Sequence, residues 1–281
     1  MNENMKQIYE DTYRIADVGF LGAKVYFYLL VGKEKALLID NGYGLLDLKN
    51  IIKEITPLET IFVCTHGHVD HALGAPQFET SYLHSADFDV YKKHTDPDFI
   101  EEITTKGLLF KPSKRFIADP NRRKLVEKVK AKEYPLPLPL ETVTEFDLGN
   151  RVVKWLPVQG HTQGSVVFID EKYNTIFDGD AAAPGAWLYL EESSPLPQYV
   201  ENLKKYLAFM EEHNIEKRYV AHTSKMVSRK RLKQLIDCAK TAIAKPKKGI
   251  KLKGTLGHCR IVFAKGSLLF CPVSETKRGM P

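Results

Sequence analysis

The sequence predicts an α/β protein with one large core, and three observations carry that prediction. Short apolar runs at strand spacing are interleaved with longer stretches whose apolar residues recur at helical spacing. The strand–helix grouping occurs twice along the chain, without an internal repeat of fixed period. The chain has 281 residues, 43% of them hydrophobic, enough to bury a core as one large domain or one domain with an appendage. No apolar run reaches the roughly 18 residues that a membrane helix needs.

The elements follow in chain order. Residues 13–18, 25–31 and 36–40 read as strands, with turns at Gly19-Phe20-Leu21-Gly22 and Gly32-Lys33-Glu34-Lys35 between them. Residues 45–55 place Leu45, Leu48, Ile51, Ile52 and Ile55 on one helical face, and Pro57 ends the pattern. Residues 60–65 form a buried strand that delivers His66 from its carboxyl end. Residues 85–93 read as a helix with Ser85 as N-cap. Residues 95–139 are charged and turn-rich. The alternate prolines at Pro135, Pro137 and Pro139 remove backbone donors, so 134–139 reads as an extended surface connection. Strands return at 151–158, 165–170, 175–178 and 218–221, with a helix at 198–213 before the last. A basic amphipathic helix at 228–244 and a hairpin of 259–263 with 267–271 close the chain.

Charge is unevenly placed. From Lys225 onward there are 15 Lys and Arg against two acids, whereas the residues before carry 26 bases and 33 acids. A body of residues 1–224 and a basic extension of 225–281 are therefore expected, the extension packed on the body. Its cations form either a solvated face or a surface for an anionic substrate or nucleic acid. The first eleven residues lack a basic start followed by an apolar stretch, so no secretory signal is expected. Cys64, Cys238, Cys259 and Cys271 show no CxxC spacing and no disulfide framework, which points to a cytoplasmic protein with reduced thiols.

Five of the nine histidines and two aspartates sit just after expected strands, in turn-like sequence. Thr65-His66-Gly67-His68-Val69-Asp70-His71 holds four potential ligands within six residues. On a helix, positions 66, 68 and 70 point in different directions; in a turn they can converge. Gly67 allows the tight path. Gly160-His161-Thr162, Asp178-Gly179-Asp180 and Ala221-His222-Thr223 follow, each at a strand end. Any one piece alone is weak, since a lone His at a strand end is usually packing and a lone Asp a turn former. The ordered set is specific for metal binding, and its density suits two ions. Imidazole with carboxylate suits zinc, with iron or manganese as alternatives. His84, His94, His213 and His258 lie outside any ligand pattern and read as surface or packing residues.

The ordered set His66-x-His68-x-Asp70-His71, His161, Asp180 and His222 resembles that of the metallo-β-lactamase superfamily, and the likeness extends over residues 13–223, including the Asp40-Asn41-Gly42 turn. The resemblance implies a four-layer αβ/βα sandwich. It also implies that His66, His68 and His161 hold one metal, that Asp70, His71 and His222 hold a second, and that Asp180 bridges them. A cysteine often stands at the Asp180 position in two-zinc β-lactamases, and flavo-diiron proteins carry an acid at the His68 position. The exosite arm of tRNA 3′-processing endonucleases is not found here. The pattern is most similar to glyoxalase II, lactonases and related hydrolases of thioesters, lactones or esters.

The expected activity is therefore hydrolysis by a hydroxide shared between two metals, with Asp70 as both ligand and proton carrier. Thr65, Thr162, Ser165 and Asp178 are expected to orient ligands. Tyr43, Trp187 and Tyr189 are candidates to line a pocket for a small-molecule substrate, an anionic one among the classes considered, with core packing as the competing reading. Alternatives are a mononuclear iron persulfide dioxygenase, a nuclease or nucleic-acid-binding protein using the basic tail, and a metal-binding sensor without turnover. Nucleic acid ranks low because the tail has no stacking-aromatic pattern and amphipathic packing explains its helix. The hairpin is expected to cap the site or to extend a sheet edge, which is compatible with a homodimer.

Overall fold

The computed structural model describes residues 4–107, 112–253 and 258–273. Seven strands pair in chain order into a first sheet: β1 (Met5–Tyr9), β2 (Thr12–Val18), β3 (Lys24–Val31), β4 (Lys35–Ile39), β5 (Glu59–Val63), β6 (Ser81–Leu83) and β7 (Leu138–Pro139). The pairs from β1 to β4 are antiparallel and those from β4 to β7 parallel. A second sheet contains β8 (Glu145–Asp147), β9 (Val152–Pro157), β10 (Val166–Asp170), β11 (Thr175–Gly179), β13 (Lys217–Val220) and β14 (Val227–Ser228), in the order β14-β13-β11-β10-β9-β8. The helices are α1 (Leu48–Lys53), α2 (Val69–Ala72), α3 (Phe88–Thr95), α4 (Pro97–Lys106), α5 (Lys114–Ile117), α6 (Pro120–Lys130), α7 (Leu196–Glu212) and α8 (Arg229–Ala244).

The period-two alternation of the strands sorts their side chains into layers. Tyr28 and Leu30 of β3 meet Val166 and Phe168 of β10 in a cluster between the sheets. The alternate residues Phe27 and Leu29 face the other way, onto Leu48, Ile51 and Ile52 of α1 and Tyr91 of α3. Val167 and Ile169 of β10 likewise turn outward, onto α7 and α8. The order helix, sheet, sheet, helix is the expected four-layer sandwich.

Residues 95–139 differ from the turn-rich reading, because α4, α5 and α6 lie there. Asp96-Pro97 and Asp119-Pro120 look like turn signals but start helices. Asp96 accepts from the backbone N–H of Asp98 and Phe99, and Asp119 accepts from Asn121 and Arg122. Each proline then occupies the first helical turn, where a missing N–H costs nothing. The proline-rich connection ends in β7, at the edge of the first sheet, where proline is tolerated.

The basic helix behaves as its periodicity predicts, with Leu232, Leu235, Ile236 and Ala239 buried against α7. The hairpin, β16 (His258–Ala264) with β17 (Ser267–Pro272), joins a third sheet with β15 (Ile250–Lys253) and β12 (Ala186–Trp187), in the order β12-β17-β16-β15. Val262, Leu269 and Cys271 share one apolar cluster with α7 and α8. All four cysteines are buried, with no disulfide among the described residues. No helix of the described residues is long and apolar enough to cross a membrane.

One buried ion pair ties the two sheets together. Arg151 donates to both carboxylate oxygens of Asp170, at 3.0 and 2.6 Å, and to Thr12 Oγ1 of the first sheet at 2.6 Å. Both charged side chains are fully buried. Asp170→Ala is expected to lower the unfolding free energy by about 3 kcal/mol, because it removes the fully buried carboxylate and leaves the guanidinium only the part-buried Asp11, at 3.2 Å, as an acidic partner. Lys154→Ala, which breaks the exposed pair with Glu171, should change stability by no more than about 1 kcal/mol. Denaturant unfolding of both variants checks the contrast.

Candidate metal centre

The carboxyl ends of β4, β5, β9, β11 and β13 open onto one region where the two sheets meet. Backbone bonds stitch the sheets there: Val166 N–H donates to the Thr65 carbonyl at 3.0 Å, and Tyr26 N–H to the Ala221 carbonyl at 2.7 Å. Two glycines make the approach possible. A Cβ on Gly67 would lie 2.8 Å from the Tyr91 backbone nitrogen. Gly179 has φ +53, and a Cβ there would meet Thr65 Oγ1 at 2.2 Å.

All seven ligand candidates come together in this region, in overlapping groups. The ligand atoms of His66, His68 and His161 lie within 4.8 Å of one another, and the same holds for His66 with His71 and Asp180, and for Asp70 with His71 and His222. Each imidazole has one nitrogen tied outward and the other aimed inward. His71 Nδ1 donates to Asp40 Oδ2 at 2.8 Å, His161 Nδ1 to the Trp187 carbonyl at 2.8 Å, and His222 Nδ1 to the Lys24 carbonyl at 3.0 Å. His68 is reversed, with Nε2 donating to Glu192 Oε1 at 3.0 Å. Thr65 gives its single hydroxyl proton to Asp40, so its oxygen accepts from His66 Nδ1 at 3.1 Å.

The inward nitrogens fit a cation better than they fit one another. His68 Nδ1 lies 3.1 Å from His66 Nε2 and 3.0 Å from His161 Nε2. In the tautomer that donates from the outer nitrogen, each of the three rings turns a lone pair toward this space. Nitrogens about 3.3 Å apart are what a tetrahedral zinc site requires at its usual bond length. His71 Nε2 and Asp180 Oδ1 are buried and have no hydrogen-bond partner among the described residues, an arrangement that costs free energy unless another group satisfies them. Asp180 Oδ2 stands 3.2 Å from His222 Nε2, 3.7 Å from His161 Nε2 and 3.9 Å from His71 Nε2, between the two groups of imidazoles. Asp70 reaches His222 Nε2 at 3.4 Å and His71 Nε2 at 3.8 Å.

The electrostatics divide the same way. Burial, with neighbouring histidines, pushes His66 well below its ordinary value and holds His161 down at about 4. Both rings are thus neutral and able to coordinate. For His71, burial is outweighed by Asp40 and Asp70, which raise it to about 9. Burial also opposes ionisation of Asp70 and Asp180, yet His71 and His222 hold both carboxyls below the usual range. The second group of ligands therefore draws positive charge.

Several residues outside the expected set build the site. Asp40 and Asp87 are buried acids that brace its loops. Asp87 accepts from Gly67 N–H at 2.9 Å, Gly164 N–H at 2.7 Å and Thr162 Oγ1 at 2.7 Å, so one carboxylate fixes the His66 and His161 turns together. Thr162 and Ser165 thus steady the His161 turn through Asp87 and each other. His94, read from the sequence as a surface or packing residue, packs against one of the ligand candidates. It is buried, stacks on His68 with ring centroids 4.4 Å apart, and faces Glu192 at 3.8 Å. Its sequence lacks any ligand pattern, and only the packing of α3 behind His68 brings it there. Asp178 does not orient a ligand: it is taken up by Arg218 and by Tyr206, whose hydroxyl donates at 2.6 Å. His84 caps a short turn and His213 caps the end of α7, as surface residues do.

The cluster opens into a cavity of about 540 Å³. His68, Asp70, His161, Asp180 and His222 form its polar wall, and most of the rest is apolar, including Leu21, Val69, Ile103, Ala183, Pro184 and Leu190. Tyr43 and Trp187 are among the residues that line it. Tyr189 does not; it packs behind Trp187, at 5.7 Å between rings, in a cluster with Leu190 and Cys259. The lining contains no residue of α8, β16 or β17, and Lys233 of α8 pairs instead with Glu211 of α7 at 2.7 Å.

A family model described as the metallo-beta-lactamase superfamily matches residues 22–222. The acyl-coenzyme A thioesterase MBLAC2 of Gallus gallus is 23% identical over 210 residues, covering 72% of this chain and 73% of that protein. The Homo sapiens protein of the same name is 22% identical over 213 residues, covering 72% and 74%. Among solved structures, DIM-1 metallo-beta-lactamase matches with a TM-score of 0.57 at 18% identity, over 85% of this chain and 97% of its own. A metallo-beta-lactamase from Pontibacter korlensis matches with a TM-score of 0.57 at 14% identity, over 84% and 98%.

Glu192 is the group that holds His68 with Nδ1 inward. Glu192→Ala is expected to weaken divalent-metal affinity by about 10–100-fold, whereas Glu192→Gln, which keeps an acceptor for His68 Nε2, should lose much less. Competition against a chromophoric chelator measures both.

Proposed function

The chain belongs to the metallo-β-lactamase superfamily and is a metal-dependent hydrolase, and from that premise we propose that it is a dinuclear thioesterase acting on thioesters with an apolar acyl group. The observation that carries this reading is a seven-ligand cluster, with each imidazole's other nitrogen tied outward, at the wall of a largely apolar cavity. The name of the thioesterase relatives agrees with it. A lactone or simple ester would use the same polar wall but would draw less from the apolar one.

His66, His68 and His161 would hold one ion, Asp70, His71 and His222 the other, and Asp180 would touch both. Zinc suits this donor set, with iron or manganese as other occupants. Divalent ions bound there supply a Lewis acid for the carbonyl and an activated water at neutral pH. The chain's own residues do the rest. Water adds to the thioester carbonyl carbon, the carbon–sulfur bond breaks, and the proton released by the water ends on the departing thiolate. Asp70 faces the cavity, so its carboxylate can orient the water and carry that proton. Tyr43 and Trp187 bound the acyl group. Among the described residues, none of α8, β16 or β17 lines the cavity, so these elements serve the site through packing.

Metal analysis of protein purified without chelator should find two ions per chain. Asp180→Ala should reduce occupancy of both sites together, and loss of a single ion would make Asp180 a terminal ligand. A hydrolysis screen of acyl-CoA thioesters, lactones and phosphodiesters tests the substrate class. Turnover of acyl-CoA well above the others is the expected result, and a preference for phosphodiesters would overturn the reading.

A further inference from the structure

Two cavities in the molecule have a side chain in common. Arg122 lines the 540 Å³ cavity together with Leu21 and Ile103. It also lines a small cavity of about 10 Å³ with Thr104, Thr105, Ile117 and Val126. The arginine stands in the first turns of α6, is 7% exposed, and is fixed by the backbone of two other elements. Its Nε donates to the Phe20 carbonyl at 2.5 Å and its Nη2 to the Thr104 carbonyl at 2.7 Å.

Both carbonyls belong to segments that wall the larger cavity. Phe20 precedes Leu21 and Ala23 in the turn between β2 and β3, and Thr104 follows Ile103 on α4. A rigid planar fork bonded to two fixed carbonyls has little freedom to swing aside, unlike a lysine in the same place. The guanidinium therefore keeps the β2–β3 turn and α4 at a set separation while its own bulk divides the two spaces.

We infer that Arg122 is a specificity-determining residue: it closes the acyl-binding cavity between the β2–β3 turn and α4, and it limits the length of acyl chain accepted. The inference rests on the thioesterase reading above. A growing apolar chain gains contact with Leu21 and Ile103 until it reaches Arg122. Beyond that point each further methylene must displace a side chain held by two hydrogen bonds.

The test uses metal-loaded full-length protein and saturated acyl-CoA thioesters from butyryl to palmitoyl. Wild-type kcat/KM should rise by about fourfold per methylene up to a break and then level or fall. Arg122→Ala should move the break to longer chains, with a gain on the order of tenfold for a chain two methylenes past it. Ile103→Phe keeps both backbone bonds and adds bulk to the same wall, so it should move the break to shorter chains; it tests the wall if Arg122→Ala does not fold. Calorimetric binding of free fatty acids of the same lengths reads the break without turnover. A break in fatty-acid affinity without hydrolysis of any acyl-CoA overturns the thioesterase reading alone. Hydrolysis with the break at the same length in both variants overturns the wall alone, as does a uniform loss at all lengths in Arg122→Ala with metal content intact. A loss confined to acyl groups ending in a carboxylate would make Arg122 an anion-recognition residue and also overturn the wall.

Discussion

Asp40 ends β4 with a left-handed backbone, at φ 62, and sends its buried carboxylate across to the loop after β5. There it accepts from the Thr65 N–H at 2.7 Å, from the Thr65 hydroxyl, and from His71 Nδ1. Three donors on one carboxylate fix the exit of β5, the hydroxyl that in turn orients His66, and the ring of His71. An aspartate tolerates this backbone better than most residues, because its short side chain can bond locally. Asp87 does the same from α3's side for the His66 and His161 turns. Without these acids, neutral imidazoles have no reason to present lone pairs to one another at about 3 Å.

The division of labour between sheets and helices follows from that requirement. Rigid strand ends hold ligands with little entropy to lose, and the site draws on five of them across both sheets. Part of the apolar wall comes instead from the β2–β3 turn and from α4, which with α6 share a cluster with Phe20, Tyr43 and Leu73. That part of the substrate's surroundings rests on chain segments that supply no ligand candidate. The metal cluster can stay fixed while the cavity wall varies, which is how one scaffold supports many hydrolytic specificities.

The C-terminal extension enters the site indirectly. β17 pairs with β12, so the hairpin holds Ala186 and Trp187 in an extended strand. The Trp187 carbonyl then accepts from His161 Nδ1, and its ring borders the cavity. A segment whose sequence shows mostly positive charge thus supports a ligand candidate through backbone pairing, while Lys230, Arg231, Lys233 and Lys240 of α8 are exposed.

By itself, the sequence determined the sheet-and-helix alternation, the buried face of α8 and the seven ligand candidates, because each is written locally. Strand alternation, helical spacing and ligand clusters next to glycine are all short-range patterns. The helices of 95–139 were legible in principle, through the Asp-Pro starts at Asp96 and Asp119, but those pairs also start turns, and only packing against Phe20 and Tyr43 distinguishes the two. His94 and Glu192 carry no such mark. They lie 26 and 124 residues from His68 in the chain, and the stacking and hydrogen bond that join the three exist only once α3 and the β12–α7 loop close over the site. Tertiary structure alone decided which acid orients which ring, because a carboxylate's role depends on the donors around it, and long-range folding supplies those donors.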